Sequence, residues 1–534
     1  MKKSFLLPLF AVITLSSTAR DFDFEGISYT VLDETAKTVM TKAGYKVQQG
    51  AAQVVVPGSD VSGDITIPAT VSDGENTFTV TTIGKQSFYK ATGLTSIVLP
   101  NTVTTIKGEA FKGCKKMTSV TLGEDLEEIG SAAFDGCESL TAVVIPDKVT
   151  YIDEETFSGC SSLETVTIGK GVTAIGYYAF MYCEGLTEIN IPDNVTELEE
   201  GAFIGCSELS EVNIGAGLEK IDKEVFAECS SITAFNVAET NPNFAAADGV
   251  LFSKDIKTLF ICPQAKRGEY AVPSTVTAIQ QYAFSECKKL TSVTMSDAVT
   301  EIGQYAFNKC TTLASVKLSN SLTILEKYIF YTCKALTKIE VPEGVTIINQ
   351  SAFQECTALA EVSLPNSLTE ISMAVFRNCS KLTEITLPKN LVTISNNAFK
   401  DCTGLKTVII PAGVKEIKDT AWTGCTNLGE IYYAATTPVS GPTTIFSNSI
   451  YSTAKLFVPT GCIDAYKAVA PWSSFANIAE HAFSGIADIE FDGADAPAEI
   501  YNFSGIKVAD STENLPAGTY IIRQGTKTQK IAIK

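Results

Sequence analysis

The chain has 534 residues, of which 45% are hydrophobic and 19% charged. That composition builds packed cores and excludes a disordered chain. A formal charge of −19 argues against nucleic acid as a partner, because a phosphate backbone needs a clustered basic face.

The first residues read as a secretory signal over 1–19. Lys2 and Lys3 form a positive start, Phe5 to Leu15 an apolar run, and Ser17, Thr18 and Ala19 a small-residue cleavage site. Cleavage after Ala19 removes two of 41 basic residues and leaves 39 against 60 acidic, a charge of −21. No Cys near the cut invites lipidation, and no later stretch reaches the roughly 18 apolar residues of a transmembrane helix. Short β-like runs such as Ile27 to Leu32 and Asp64 to Pro68 make 20–82 an expected N-terminal β cap.

A repeat then dominates. Cys114, Cys137, Cys160, Cys183, Cys206 and Cys229 are each 23 residues apart, as are Cys287, Cys310, Cys333, Cys356, Cys379, Cys402 and Cys425. An aromatic stands three residues before each, from Phe111 to Phe226 and from Phe284 to Trp422. An earlier coil has Phe88 in place and Ala91 at the Cys position, giving 14 coils. In the second coil the apolar set is Ile106, Ala110, Phe111, Cys114, Met117, Val120, Leu122 and Leu126. Alternation of Pro100, Gly123, Pro146, Gly169, Pro192 and Gly215 suggests a two-coil unit of 46 residues.

One such coil cannot bury its own apolar edge, whereas parallel stacking turns these positions into continuous ladders. At a strand spacing of about 4.8 Å, the coils make a rod on the order of 65 Å long. The A-F-x-x-C segment is too short for a helix and reads as one tight helical turn. The open ends require caps.

The pattern I-x-x-x-A-F-x-x-C-x-x-L-x-x-V-x-L-P-x-x-V-T resembles the BspA-like leucine-rich repeat family over residues 83 to about 428. The resemblance implies a right-handed, β-rich leucine-rich-repeat solenoid of 14 repeats with N- and C-terminal caps. It also implies a bacterial or protist surface protein, since several family members act as adhesins or host-protein binders.

The solenoid, expected over 83–430, is interrupted. Val237 and Val272 hold equivalent offsets but lie 35 residues apart, which marks an insertion at about 238–271. Within it, Val250 to Phe252 and Leu259 to Ile261 read as a hairpin around Ser253 to Lys257. It is either a plain bulge or a binding protrusion projecting from the rod, whose removal would leave the coil register intact. K-L-F-V-P and A-Y-K-A-V-A-P-W place a C-terminal cap at 431–493, followed by a linker at Ala494 to Pro497. The remaining module, within 494–534, resembles the C-terminal domains that direct type IX export, on Tyr501, Gly505, Gly518, Tyr520 and Lys534. It lacks their usual asparagine–proline start; the alternative is a small β module that closes the chain.

Thirteen ladder cysteines stacked at about 4.8 Å exceed the roughly 3.8 Å Cβ spacing of a disulfide, so they are expected to be reduced, buried and weakly donating. No C-x-x-C pair exists, and His481 is the single histidine, so no metal site, cofactor or catalytic residue is assigned. A Cys462–His481 pair is conceivable but has no supporting motif, and paired carboxylates lack an obvious pocket. Two surface columns stand out. Glu188, Glu211, Glu361 and Glu384 recur at one outward strand position, either as a solvated face or as an acidic docking strip. Tyr178, Tyr282, Tyr305 and Tyr328 sit two residues before the Phe, either packing on the adjacent coil or offering an aromatic contact column.

The resulting expectation is a non-enzymatic, exported cell-surface binding protein of adhesin type. Its partner would be a protein or glycan outside the cell. The alternatives are an envelope structural or assembly protein, and a glycan-capture or carbohydrate-active protein.

Overall fold

Each 23-residue coil folds as two short strands joined by tight turns. The computed structural model describes residues 20–24, 27–42 and 61–483, with the strands Glu499–Tyr501, Lys507–Ala509, Gly518–Gln524 and Lys527–Ile533 beyond them. The expected leader and the linker at Ala494 to Pro497 lie outside the described residues.

The first strand of a coil pairs in parallel with its equivalent 23 residues on, as Ser96 with Ser119 and Ala142 with Thr165. The second strand does the same over two residues, as Thr105–Ile106 with Glu128–Ile129. Alternation puts Val143 and Ile145 inside and Val144 outside. Threonine hydroxyls add a further ladder: Thr118 and Thr141 each donate to the carbonyl of the residue 23 earlier, at 3.1 and 3.3 Å.

The solenoid runs to about 17 turns with almost no helix, more than the 14 coils of the sequence motif. The extra turns come from the flanks, which continue the ladder. Ser62–Thr66 pairs in parallel with Gly93–Val98. At the other end Glu430–Tyr433, Lys455–Pro459 and Asn477–His481 add in parallel. The four strands after residue 498 form a separate antiparallel sheet.

The A-F-x-x-C segment corrects the expected helical turn. Glu109 and Gly113 have φ of 58° and 77°, a left-handed backbone that a helix does not contain. Ala110, Lys112 and Cys114 N–H groups close turns on Lys107, Glu109 and Phe111. The alternate donors of Glu109, Phe111 and Gly113 reach the carbonyls of Ser131, Ala133 and Asp135 at 2.7–2.9 Å. A single helical turn would leave its first N–H groups without partners within the segment; this conformation sends alternate ones along the rod.

Inside the turns, the Phe rings stack from Phe88 to Phe226 at 5.0–5.4 Å between centroids, with planes within 10°. Every ladder thiol but one donates to the Phe carbonyl 26 residues earlier, as Cys137 to Phe111 at 3.3 Å and Cys160 to Phe134 at 3.3 Å; Cys287, at the start of the second stack, faces the Cys262 and Pro263 carbonyls at 3.7 Å. The Pro/Gly alternation holds in the first stack. A Cβ at Gly169 would lie 2.4 Å from the Pro146 carbonyl oxygen, so this coil takes glycine there; in the second stack Pro342, Pro365, Pro388 and Pro411 follow one another at the same offset.

Phe157→Ala is expected to cost about 3–5 kcal/mol, since the ring is fully buried between Phe134 and Phe180. Urea unfolding checks this. Hydrogen exchange should rise mainly in the flanking coils, because repeats couple to neighbours. A uniform rise along the rod would contradict nearest-neighbour coupling.

The insertion does contain the expected hairpin, formed by Val250–Ser253 and Thr258–Ile261, and Phe244–Ala247 adds a third antiparallel strand. It does not project from the rod. Val250, Leu251, Phe252 and Leu259 are all fully buried. Leu251 packs into the core of the preceding coils, whereas Val250 and Phe252 pack into that of the following coils. This strand is therefore a septum between two stacks, and the first-strand ladder is interrupted between Ala234–Val237 and Gly268–Ala271. The interruption expected at about 238–271 is thus a break in the first-strand ladder, while the solenoid itself continues. Thr258–Ile261 instead joins the second-strand ladder through Ala278–Ile279.

Candidate binding face

The first strands of all coils present one outward column of side chains at each alternate position. In the first stack Glu188 pairs with Glu211, and Glu211 with Ala234. In the second, Lys338 pairs with Glu361, and Glu384 with Thr407. The four sequence-selected carboxylates are exposed, but they form two groups on opposite sides of the septum. Glu361 also lies 4.0 Å from Lys338, so the column in the second stack has mixed sign.

Two positions along each strand lies a feature that the sequence reading passed over. Asn190, Asn213 and Asn236 are in register. Asn213 Nδ2 donates to Asn190 Oδ1 at 2.8 Å and to Glu188 Oε1 at 3.1 Å. Asn236 Nδ2 repeats this to Asn213 Oδ1 at 2.8 Å and to Glu211 Oε1 at 2.5 Å. The amides fix both carboxylates in orientation before any partner arrives. Identical residues at a 23-residue spacing on an outward position were the available signal.

A second missed feature lies near the C-terminal end of the face. Ile409, Tyr432 and Phe457 are paired in register, and the Tyr432 and Phe457 rings stack at 4.4 Å. Lys455 Nζ sits 4.8 Å from the Phe457 ring centre. His481 packs edge-on against Tyr432 at 5.1 Å, and the Cys462 thiol faces the Thr460 carbonyl at 3.8 Å. The conceivable Cys462–His481 pair thus has separate neighbours.

The tyrosine column is also divided. Tyr282, Tyr305 and Tyr328 stack at 5.0 and 4.7 Å. Tyr178 belongs to the first stack and packs where a Cβ on Gly201 would meet its ring at 2.4 Å. All four are half-buried. Burial, with the Glu224 carboxylate nearby, pushes the Tyr178, Tyr282 and Tyr305 hydroxyls up.

Burial raises the thiol pKa in ladder cysteines such as Cys183 and Cys333, which makes them poor nucleophiles. In the native chain they are expected to resist an aromatic disulfide reagent, and in denaturant without reductant well over half should react. Reaction of only one or two in denaturant would indicate disulfides. Among the described residues, no group of three His, Cys, Asp or Glu is placed to hold a metal ion.

These features define a parallel β-solenoid repeat protein with a long, regular strand face. The chain belongs to the family described as BspA type leucine rich repeat region, whose pattern matches residues 81–203, 127–257, 260–380 and 323–453. Similar solved structures include a leucine rich cell surface protein from Faecalibacterium prausnitzii A2-165. It is 28% identical, with a TM-score of 0.55, over 78% of this chain and 96% of that one. A leucine-rich repeat protein from Bacteroides ovatus ATCC 8483 is 25% identical, with a TM-score of 0.52, over 78% and 95%. No curated protein matches the chain. No helix among the described residues is long and apolar enough to cross a membrane.

Proposed function

We propose that this protein is a non-enzymatic cell-surface binding module that captures a basic protein partner outside the cell through its outward strand face. The observation that carries the reading is the Glu188/Glu211 pair, held in place by the Asn190–Asn236 amide ladder. Pre-oriented carboxylates suit Lys and Arg, because little side-chain freedom remains to be lost on binding. The family membership and the surface protein of F. prausnitzii support the location. Export by the N-terminal signal and sorting by the C-terminal module belong to the same proposal. Removing 494–534 should then leave the solenoid folded but reduce its arrival at the surface, read by protease accessibility on intact cells.

The test is a protein and glycan array probed with residues 20–534. The hit should be a protein with a basic patch, and its binding should weaken with salt, since exposed charge contacts are screened. Glu361→Ala should cost less than twofold. The double change Glu188→Gln with Glu211→Gln should cost at least tenfold, and adding Glu361 and Glu384 should cost little more. Binding that ignores the double change, or a hit list of neutral glycans only, would overturn this assignment.

A further inference from the structure

The turn ladder of the first stack ends at Glu224–Glu228, and its last edge is left open. One coil earlier, the N–H groups of Gly201, Phe203 and Gly205 donate to the carbonyls of Lys223, Val225 and Ala227 at 2.8–3.4 Å. At the last coil, the N–H groups of Glu224, Phe226 and Glu228 meet no backbone acceptor among the described residues. The far end of the second stack is treated differently: Trp422 N–H donates to the Ile445 carbonyl at 2.9 Å and Gly424 N–H to Ser447 Oγ at 2.9 Å.

On the turn ladder the insertion serves the opposite edge, while its Ala265 N–H reaches back only to the Ile232 carbonyl, at 2.9 Å. Cys262 N–H donates to the Ala283 carbonyl at 2.7 Å, and Gln264 Nε2 to the Ser285 carbonyl at 3.4 Å. Those are the acceptors that a preceding coil would have used. Between the two edges lies a cavity of about 170 Å³, lined by Phe226, Ile232, Phe235, Phe260 and Pro263, with Gln264 on its wall. Gln264 is only 8% exposed and its Oε1 has no partner. A buried acceptor left unpaired calls for a donor.

We propose that this cleft binds an extended peptide segment, which stacks on the open turn edge in place of the missing coil. Its carbonyls accept from the N–H groups of Glu224, Phe226 and Glu228, one of its N–H groups donates to Gln264 Oε1, and one apolar side chain up to the size of Leu or Phe enters the cavity. Donors on every second residue repeat like the edge of a sheet, and an extended chain answers that spacing with its own alternate carbonyls. The volume suits one such side chain, since cavities of roughly 150 Å³ accept a benzene-sized guest. A polysaccharide offers no evenly spaced row of carbonyls. None of these residues belongs to the outward strand face, so the two sites stand or fall separately.

The test uses residues 20–534 and a panel of acetyl- and amide-blocked hexapeptides carrying Ala, Val, Leu or Phe at the third position. Hydrogen exchange is read by mass spectrometry. In the free protein, the fragment spanning Glu224–Glu228 should exchange at least tenfold faster than the one spanning Gly201–Gly205. At least one peptide should slow it threefold or more, with the Leu or Phe peptides best. Gln264→Leu and Ala227→Trp should abolish that slowing while the Gly201–Gly205 fragment exchanges as before. Equal protection of the two fragments in the free protein would overturn the proposal, and this needs no variant to fold. So would a failure of every peptide to slow exchange, slowing by an N-acetylglucosamine trimer instead, or slowing that survives both substitutions.

Discussion

Raising the pH from 7.5 to 9.5 is expected to unfold the solenoid, with the midpoint in urea falling steeply over that window. The cause is the thiol ladder. Eleven of its members, Cys137, Cys183, Cys206, Cys229, Cys287, Cys310, Cys333, Cys356, Cys379, Cys402 and Cys425, have their pKa raised chiefly by burial. For Cys425 it is pushed up to about 12. Each sulfur also faces a carbonyl oxygen, as Cys402 faces that of Phe376 at 3.0 Å, which would repel a thiolate. In the unfolded chain a thiol titrates near about 8.5.

Above that pH the unfolded chain binds fewer protons than the folded one, so stability falls as pH rises. It is fully present below about pH 8.5 and lost as the pH climbs towards the folded values. One unit above the unfolded pKa, each thiol contributes about 1.4 kcal/mol to the loss. Eleven together approach roughly 15 kcal/mol, the scale of a whole domain's stability. Lysines and tyrosines also titrate in this range, so the decisive comparison is a variant with Cys310, Cys333 and Cys356 all changed to Ala. Its neighbouring coils should survive to higher pH than the parent's. An unchanged urea midpoint between pH 7.5 and 9.5, or an alkaline loss indifferent to the triple change, would refute the thiol ladder as the cause.

Deleting residues 238–271 is expected to destroy the fold at the junction rather than shorten a loop. The deletion removes Val250, Leu251, Phe252 and Leu259, all fully buried. At about 1.5–3 kcal/mol for each buried side chain, this alone forfeits roughly 6–12 kcal/mol. It also strips backbone partners. Phe235 N–H donates to the Gly249 carbonyl at 2.9 Å, Thr277 N–H to that of Lys257 at 2.8 Å, and Gln280 N–H to that of Leu259 at 2.9 Å. Circular dichroism should show two separate transitions or an insoluble product. Limited proteolysis should cut near Val237 and Val272. A variant that melts in a single transition at the parent's temperature would show that the two stacks can join directly, and that the septum is dispensable.

Much of this fold was legible in the residues. The Phe and Cys at 23-residue spacing require parallel stacking, because only in-register coils bury a column of identical side chains. Phe134 over Phe157 at 5.2 Å is that requirement met. The carboxylates and tyrosines were legible as positions but not as a site. Whether Glu211 and Glu361 share a strip depends on whether the ladder is continuous between them, and local spacing carries no such information. The Asn ladder could have been found from its period alone, but its bond to Glu188 depends on the pleat.

The sequence by itself determined the repeat, its register and the buried fate of its cysteines, since each follows from a period and a residue type. The tertiary structure alone decided three further things. Turns with left-handed residues at Glu109 and Gly113 replace a helical turn, because the alternate N–H groups find acceptors only once the next coil is in place. The flanks continue the ladder, because an open strand edge recruits any chain able to pair with it. The strand Val250–Ser253 divides the core, because its alternate side chains find apolar partners on both sides. Those neighbours come from distant parts of the chain, which is why local pattern could not reveal them.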